Sequence, residues 1–198
     1  MASSSEGGNL ALLATIAISV VFFAAAAVAL GYYLVFGENL AGPPQNIYVI
    51  RLSEYTIEAS PEPIIVKVGQ PVVFKIVNEG AVEHELMFVP NLQMMADMIM
   101  NAAIRLQEQN PELSEEEIIA MVDKRHEMVM EEMIEKALKG KVEGEEFMIE
   151  LEPGESTVAT FTFLEPGIYV IACMKLDGTF PEPHAKEGMF NQIIVVEG

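Results

Sequence analysis

The sequence predicts a mainly β domain of the sandwich or barrel kind, interrupted by a helical hairpin and preceded by one long apolar segment. Three observations carry this. Short β-branched and aromatic runs recur in two blocks of the chain and are separated by turn residues. Between the blocks, apolar residues switch to helical steps of three and four. Residues 10–36 contain no charged side chain.

Residues 1–9 form a short tail without Lys or Arg. Residues 10–36 are long enough, as a helix, to cross a bilayer, and Tyr32 and Tyr33 suit an interfacial aromatic belt. The rival is a cleaved signal peptide, since Ala24 to Ala27 and Ala29-Leu30-Gly31 offer small residues. The stretch exceeds a usual signal core and no basic residue precedes it, so a retained transmembrane helix is the expectation. The first basic residue of the chain is Arg51, which leaves the positive-inside rule almost nothing to count. Residues 37–45, ending near Pro43 and Pro44, read as a linker. Residues 46–198 then suffice for one domain with a substantial core.

Ile47 to Ile50, Ile64 to Val68, Val72 to Val77 and His84 to Val89 read as strands, with Gly69-Gln70-Pro71 and Asn78-Glu79-Gly80 as turns. The texture returns at Glu146 to Leu151, Ser156 to Leu164, Ile168 to Cys173 and Asn191 to Val196, broken by Pro153-Gly154 and Pro166-Gly167. This spacing predicts an antiparallel sandwich or barrel. Within 91–140 two helices are expected, at 91–109 and 115–139. Ser114 and Glu117 supply a capping box and Gly140 a stop. The predicted apolar stripes are Leu92, Met95, Met98, Ile99, Ala102 and Leu106, and then Ile119, Val122, His126, Val129 and Met133.

The net charge of −19 excludes nucleic acid and anionic lipid surfaces as natural partners and favours a basic protein patch. Cys173 is the one cysteine, so neither an intramolecular disulfide nor a C-x-x-C zinc pair is available. It is followed by His184 and Met189, and His84 stands upstream. One thiolate, two imidazoles and one thioether make the ligand set of a mononuclear copper electron-transfer site, in which soft sulfur favours Cu(I) and imidazole holds Cu(II). A buried apolar cysteine in a strand is the plainer alternative for Cys173. A nucleophilic cysteine would need a base and an electropositive setting, which an acidic chain argues against. His126, inside a helical stripe, reads as a packed core histidine. Of thirteen methionines, Met94, Met95, Met98 and Met100 crowd one helix and Met121, Met128, Met130 and Met133 the other, and they read as adaptable core or a docking surface ahead of a thioether copper cluster.

Residues 64–80 carry the pattern I-x-V-x-x-G-x-x-V-x-F-x-x-x-N, and His84-Glu85-Leu86-Met87-Phe88 follows it. Gly167 to Cys173 reads G-x-Y-x-x-x-C, and His184 to Met189 reads H-x4-M. These segments resemble the cupredoxins, the small type 1 or blue copper proteins, over about residues 47–90 and 146–198. The resemblance implies a Greek-key β-sandwich, copper held by His84, Cys173 and His184 with Met189 as the weak axial ligand, and one-electron shuttling in a respiratory or photosynthetic chain. Membrane-anchored sulfocyanins are the nearest analogy, implying a single-pass protein of the cell membrane with its domain on the extracytoplasmic side. The implied partners are a cytochrome or a terminal oxidase. One departure stands out: ten residues, Met174 to Pro183, separate Cys173 from His184, where the family uses a few. Lys175 to Phe180 would then form a docking surface near the exposed edge of His184. Two other functions fit less of the sequence. One is a fixed component of a respiratory complex, like oxidase subunit II, whose dinuclear site needs two cysteines. The other is a methionine-rich copper-binding or chaperone protein.

Overall fold

The computed structural model describes residues 46–198. The expected tail (1–9), transmembrane helix (10–36) and linker (37–45) lie outside the described residues. Among the described residues, no helix is long and apolar enough to cross a membrane.

The element order is β1 (Ile47–Ser53), β2 (Thr56–Ser60), β3 (Ile64–Lys67), β4 (Pro71–Asn78), β5 (His84–Phe88), α1 (Leu92–Gln109), α2 (Glu115–Leu138), β6 (Val142–Gly144), β7 (Met148–Leu151), β8 (Ser156–Phe163), β9 (Gly167–Ala172), a 3-10 turn (His184–Glu187) and β10 (Phe190–Val196). Two five-stranded sheets result, in the orders β2-β1-β4-β8-β6 and β3-β10-β9-β5-β7. The predicted mainly β, two-sheet architecture with a helical hairpin is present. The expectation of a purely antiparallel arrangement is corrected: β1 pairs with β4, and β3 with β10, in parallel. Turn residues specify hairpins between neighbours in sequence. Parallel partners are joined by long excursions, which leave no local signal.

Most strands alternate. Tyr48, Ile50 and Leu52 of β1 and Val72, Phe74 and Ile76 of β4 point inward between polar or half-exposed neighbours. Phe88, Phe147, Phe161 and Phe163 meet in the middle, with Phe88 to Phe161 ring centroids 4.9 Å apart. Tyr48 joins the two sheets through its hydroxyl, which donates to the Ile65 carbonyl at 2.6 Å and accepts from the Ile65 amide at 3.0 Å. Strand β5 breaks the alternation, being buried at all five positions. Its inner face meets the sandwich core. Its outer face, with Glu85 and Met87, pairs in register with Glu150 and Met148 of β7 and is roofed by the hairpin. Between roof and sheet lies an open cleft of about 410 Å³ lined by Met87, Met148, Met174, Ile99, Met130 and Asp123, among others.

The helices start where the caps predict. Asn91 accepts from the Met94 amide at 3.0 Å, and Ser114 and Glu117 form a reciprocal capping box. Their buried faces differ in part from the predicted stripes. In α1 they comprise Met95, Ala96, Ile99, Ala103 and Leu106. In α2, Ile118, Ile119, Val122, Met130, Ile134 and Leu138 are buried and Met133 packs partly against the core, so the predicted Ile119, Val122 and Met133 do face inward, whereas Val129 is 45 % exposed. Each helix carries apolar residues on more than one face, and packing chooses among them. The side chain of His126 lies outside the described residues.

The β1–β2 connection is a two-residue turn, Glu54-Tyr55, closed by the Ser53 and Thr56 pair. Tyr55 takes φ 61, the one non-glycine residue in the left-handed region among the described residues. A bulky side chain there costs about 1–3 kcal/mol.

Phe88→Ala removes the ring on which three others converge and is expected to cost about 3–5 kcal/mol of stability. The urea midpoint of the metal-free protein measures it, and a cost below about 1 kcal/mol would show that the cluster closes over the gap.

Candidate metal centre

His84 is delivered by the turn between β4 and β5, and Asn78 sets that turn. Its amide nitrogen donates to the carbonyls of Val82 and Leu151, both at 2.8 Å, and its oxygen accepts from the Gly80 amide at 2.8 Å. Asn78 is fully buried. Sequence reasoning assigned it no role in the site, although a polar residue closing an apolar strand before a glycine turn was the available signal.

Cys173 follows the last residue of β9. Its amide donates to the Met189 carbonyl at 3.1 Å, and its carbonyl accepts from the Ala185 amide at 2.8 Å. The ten-residue loop therefore leaves and returns: His184 donates its amide to the Lys175 carbonyl at 2.9 Å, and Met189 donates to the His184 carbonyl at 3.1 Å. Gly188, at φ 108, makes the turn between His184 and Met189. Met189 is thereby carried beside Cys173, with no exposed surface.

Ligand-capable atoms of His84, Cys173 and His184 all lie within 4.8 Å of one another. The Cys173 Sγ stands 3.4 Å from His184 Nδ1 and 4.0 Å from His84 Nδ1, and the three residues have zero exposure. Three donors arranged in a plane around one ion at about 2.0–2.3 Å are separated by about 3.5–3.8 Å, so these spacings suit a single first-row metal ion. The imidazole tautomers suit it too. His184 Nε2 donates to the Asp177 carbonyl at 2.7 Å, which leaves the Nδ1 lone pair facing Cys173. His84 Nε2 is buried without a partner. Burial pushes both imidazoles below their ordinary range, the second effect at His84 being the charge of His184, so both favour the neutral, ligating form. The donor set, one thiolate and two imidazoles with a thioether nearby, fits a type 1 copper centre. Sandwich and triad together are cupredoxin-like.

The surroundings brace the thiolate. The Glu85 amide points at Cys173 Sγ from 3.5 Å, and the Glu85 carboxylate accepts from the Met174 amide at 2.7 Å, so one residue grips the chain on both sides of the sulfur. Burial pushes that carboxyl up to about 7, against the pull of Lys175. Lys175 places Nζ 2.8 Å from both Glu83 and Glu150. Burial alone would lower its pKa, but bonds to Glu150 and Glu83 outweigh this and hold the ammonium charge firmly. Burial, followed by the Glu85 charge, pushes the Cys173 thiol up, which is opposite to what a nucleophilic cysteine requires. From the hairpin side, Asp97 of α1 bonds Lys186 in the 3-10 turn at 2.6 Å.

One expectation fails. Lys175 to Phe180 does not flank an exposed His184 edge, because the longer loop folds back, buries Lys175 and Leu176, and caps the His184 ring with the Asp177 carbonyl. The helix methionines divide between core and surface, as their spacing predicts. Met95 and Met130 are core residues, whereas Met94, Met121 and Met128 are exposed. One ring outside the triad touches it: Tyr55 meets His184 edge-on, with centroids 5.2 Å apart at 76°.

No family model matches the chain, and no curated protein matches it. Among solved structures, the chain is similar to the dithionite-reduced auracyanin of the photosynthetic bacterium Roseiflexus castenholzii, at 18 % identity over 78 % of this chain and 99 % of that one, with a TM-score of 0.43. It is similar to auracyanin A, a blue copper protein of Chloroflexus aurantiacus, at 20 % identity over 76 % and 99 %, with a TM-score of 0.38. A multicopper oxidase of Campylobacter jejuni shows 11 % identity over 80 % of this chain and 31 % of that one, with a TM-score of 0.41.

Gly80 has no room for a side chain: a Cβ there would stand 2.6 Å from His84 Nε2. Gly80→Ala is expected to displace the imidazole and weaken metal binding while the β fold persists. Copper stoichiometry and circular dichroism measure the two. Full copper loading at wild-type affinity would mean that His84 can shift without loss.

Proposed function

We propose that the protein is a blue copper electron carrier, in which His84, Cys173 and His184 would hold the copper, with Met189 as a weaker fourth ligand. The observation that carries this is the complete burial of all three donors. Metal catalysis keeps a coordination position open to substrate. A buried donor set admits electrons and excludes reactants. When bound, copper supplies a one-electron couple between Cu(I) and Cu(II).

The residues of the chain do the rest. His84 sits on a strand buried on both faces, and Cys173 is fixed by backbone pairing on both its amide and its carbonyl. Little rearrangement is then needed when the charge of the site changes. The Glu85 amide directed at the sulfur stabilises charge on the thiolate, and the dry surroundings tune the potential. The chain has three histidines, two of them in the triad, so a further histidine-held copper cluster of the kind an oxidase would need cannot be assembled from His126 alone. In this reading residues 10–36 anchor the carrier to the cell membrane with its domain outside. The redox partners are a cytochrome or a terminal oxidase of a respiratory or photosynthetic chain, approached as a shuttle or held as a complex subunit. The acidic surface supports a partner with a basic face.

Cys173→Ser is expected to abolish the visible thiolate-to-copper band of the oxidised protein, and full colour in this variant would refute the assignment. Met189→Leu should raise the reduction potential and Met189→Gln should lower it, both with the chromophore kept. Voltammetry with EPR reads these shifts, and no movement in either variant would remove Met189 from the ligand set.

A further inference from the structure

In this protein the histidine edge that would otherwise face a redox partner is closed. His184 has no exposed surface, and its outward nitrogen is tied to the Asp177 carbonyl at 2.7 Å. On the Glu85 side, the Lys175 ion pairs and the hairpin cover the site. On the side of the 3-10 turn, the bond from Lys186 to Asp97 ties α1 to the ligand segment. The β1–β2 turn lies against the ring from another direction.

Tyr55 occupies that turn with its ring against His184, centroids 5.2 Å apart, and the residue is half-buried. The position is one for which glycine or asparagine is the ordinary choice, since φ is 61. A tyrosine held there against its backbone preference points to a use for the ring, the direction in which such outliers are informative. Gly178 lies beside it: a Cβ at Gly178 would stand 3.4 Å from the Tyr55 hydroxyl, so the capping loop is in contact distance of the phenol. Two acidic residues neighbour the ring through the chain, Glu54 before Tyr55 and Asp177 before Gly178. Glu54 is exposed and its carboxylate accepts from the Ala81 amide, while Asp177 is half-buried on the capping loop. Both are close enough to act on the His84 imidazole through their charge.

We infer that Tyr55 is the port through which electrons enter and leave the copper site, and that Glu54 and Asp177 form an acidic rim that receives a redox partner with a basic face. The inference rests on the blue copper reading above. In the step concerned, one electron leaves a reduced one-electron carrier and is taken up at the site, Cu(II) becoming Cu(I). The electron tunnels through the Tyr55 and His184 rings, and Tyr55 is neither oxidised nor deprotonated. A packed ring provides a shorter through-contact path than solvent or an aliphatic side chain. The two carboxylates raise the encounter rate of cations at low ionic strength.

The test uses the full chain loaded with copper, reduced in stopped flow by hexaammineruthenium(II), a cation, and separately by hexacyanoferrate(II), an anion. Tyr55→Leu is expected to slow both reactions by about an order of magnitude with the visible band and the potential unchanged, whereas Tyr55→Phe stays near the wild-type rate. A Leu variant that keeps its colour and its full rate overturns the port, as does a Phe variant as slow as Leu. Glu54→Gln with Asp177→Asn should remove the low-salt advantage of the ruthenium reagent and leave the hexacyanoferrate reaction equal or faster. An unchanged ratio overturns the rim, and this comparison stands even if the Leu variant loses its colour. In the copper-free protein, proton NMR should show contacts between the Tyr55 and His184 rings, and their absence also overturns the port. A wild-type protein that binds copper without colour, but keeps those ring contacts, would instead count against the blue copper reading.

Discussion

Everything at the candidate centre is registered against the backbone of Cys173. Its amide and carbonyl are both committed to the returning segment, at Met189 and Ala185, and its sulfur receives the Glu85 amide from the neighbouring strand. These bonds bring the end of β9, the start of β5 and the 3-10 turn to one point. Each replaces hydration that the buried polar groups lose, and a missing partner would leave a buried donor or acceptor uncompensated. The ten-residue loop is tolerated for this reason. Lengthening a loop costs little entropy once its two ends are fixed, and the ends here are fixed by the bond from His184 to Lys175 and by Cys173 itself.

Much of this was legible in the sequence, and the limits have physical causes. Residues whose type alone restricts their chemistry were readable: a single cysteine with two histidines and a methionine points to copper whatever the fold, and the structure brings His84, Cys173 and His184 together. Strands with a strong apolar alternation were readable as well. The two strands not foreseen, β2 and β6, are the edges of one sheet, short and acidic, where charge guards against pairing with another chain and hides the β signal. The parallel pairs were not readable, because nothing local encodes the pairing of strands so distant in sequence. Nor was Tyr55. A tyrosine in a turn carries no sign of its neighbour, and only the folded chain sets it against His184.

Charge and polarity around the site are divided by layer. Inside the sandwich the triad sees aromatic and aliphatic neighbours, which favour neutral imidazole and keep water away. Beneath the hairpin, Glu83, Glu85 and Glu150 surround one lysine, which offsets part of their negative charge close to the soft donor. Lys175 and Glu85 are the buried members of this group, so removing the lysine would leave the Glu85 carboxyl without its charge partner, whereas Glu83 and Glu150 reach solvent. The hairpin is thus a wall of the site's surroundings. Without it the outer face of β5 and β7, with Met87 and Met148, would stand open to water.

The double burial of β5 also bears on how the chain keeps its strands in step. On an ordinary sandwich strand, a slip of one residue turns the apolar set toward solvent, and that penalty holds the register. β5 lacks this safeguard, because either face of it is covered wherever it lies. What distinguishes one register from the next is chemical kind: His84 toward the triad and Glu85 toward Lys175. Exchanging them would set a carboxylate beside the sulfur and an imidazole beside an ammonium. The alignment of the strand that carries the first imidazole is therefore enforced by electrostatic mismatch, in a place where hydrophobic patterning has no vote.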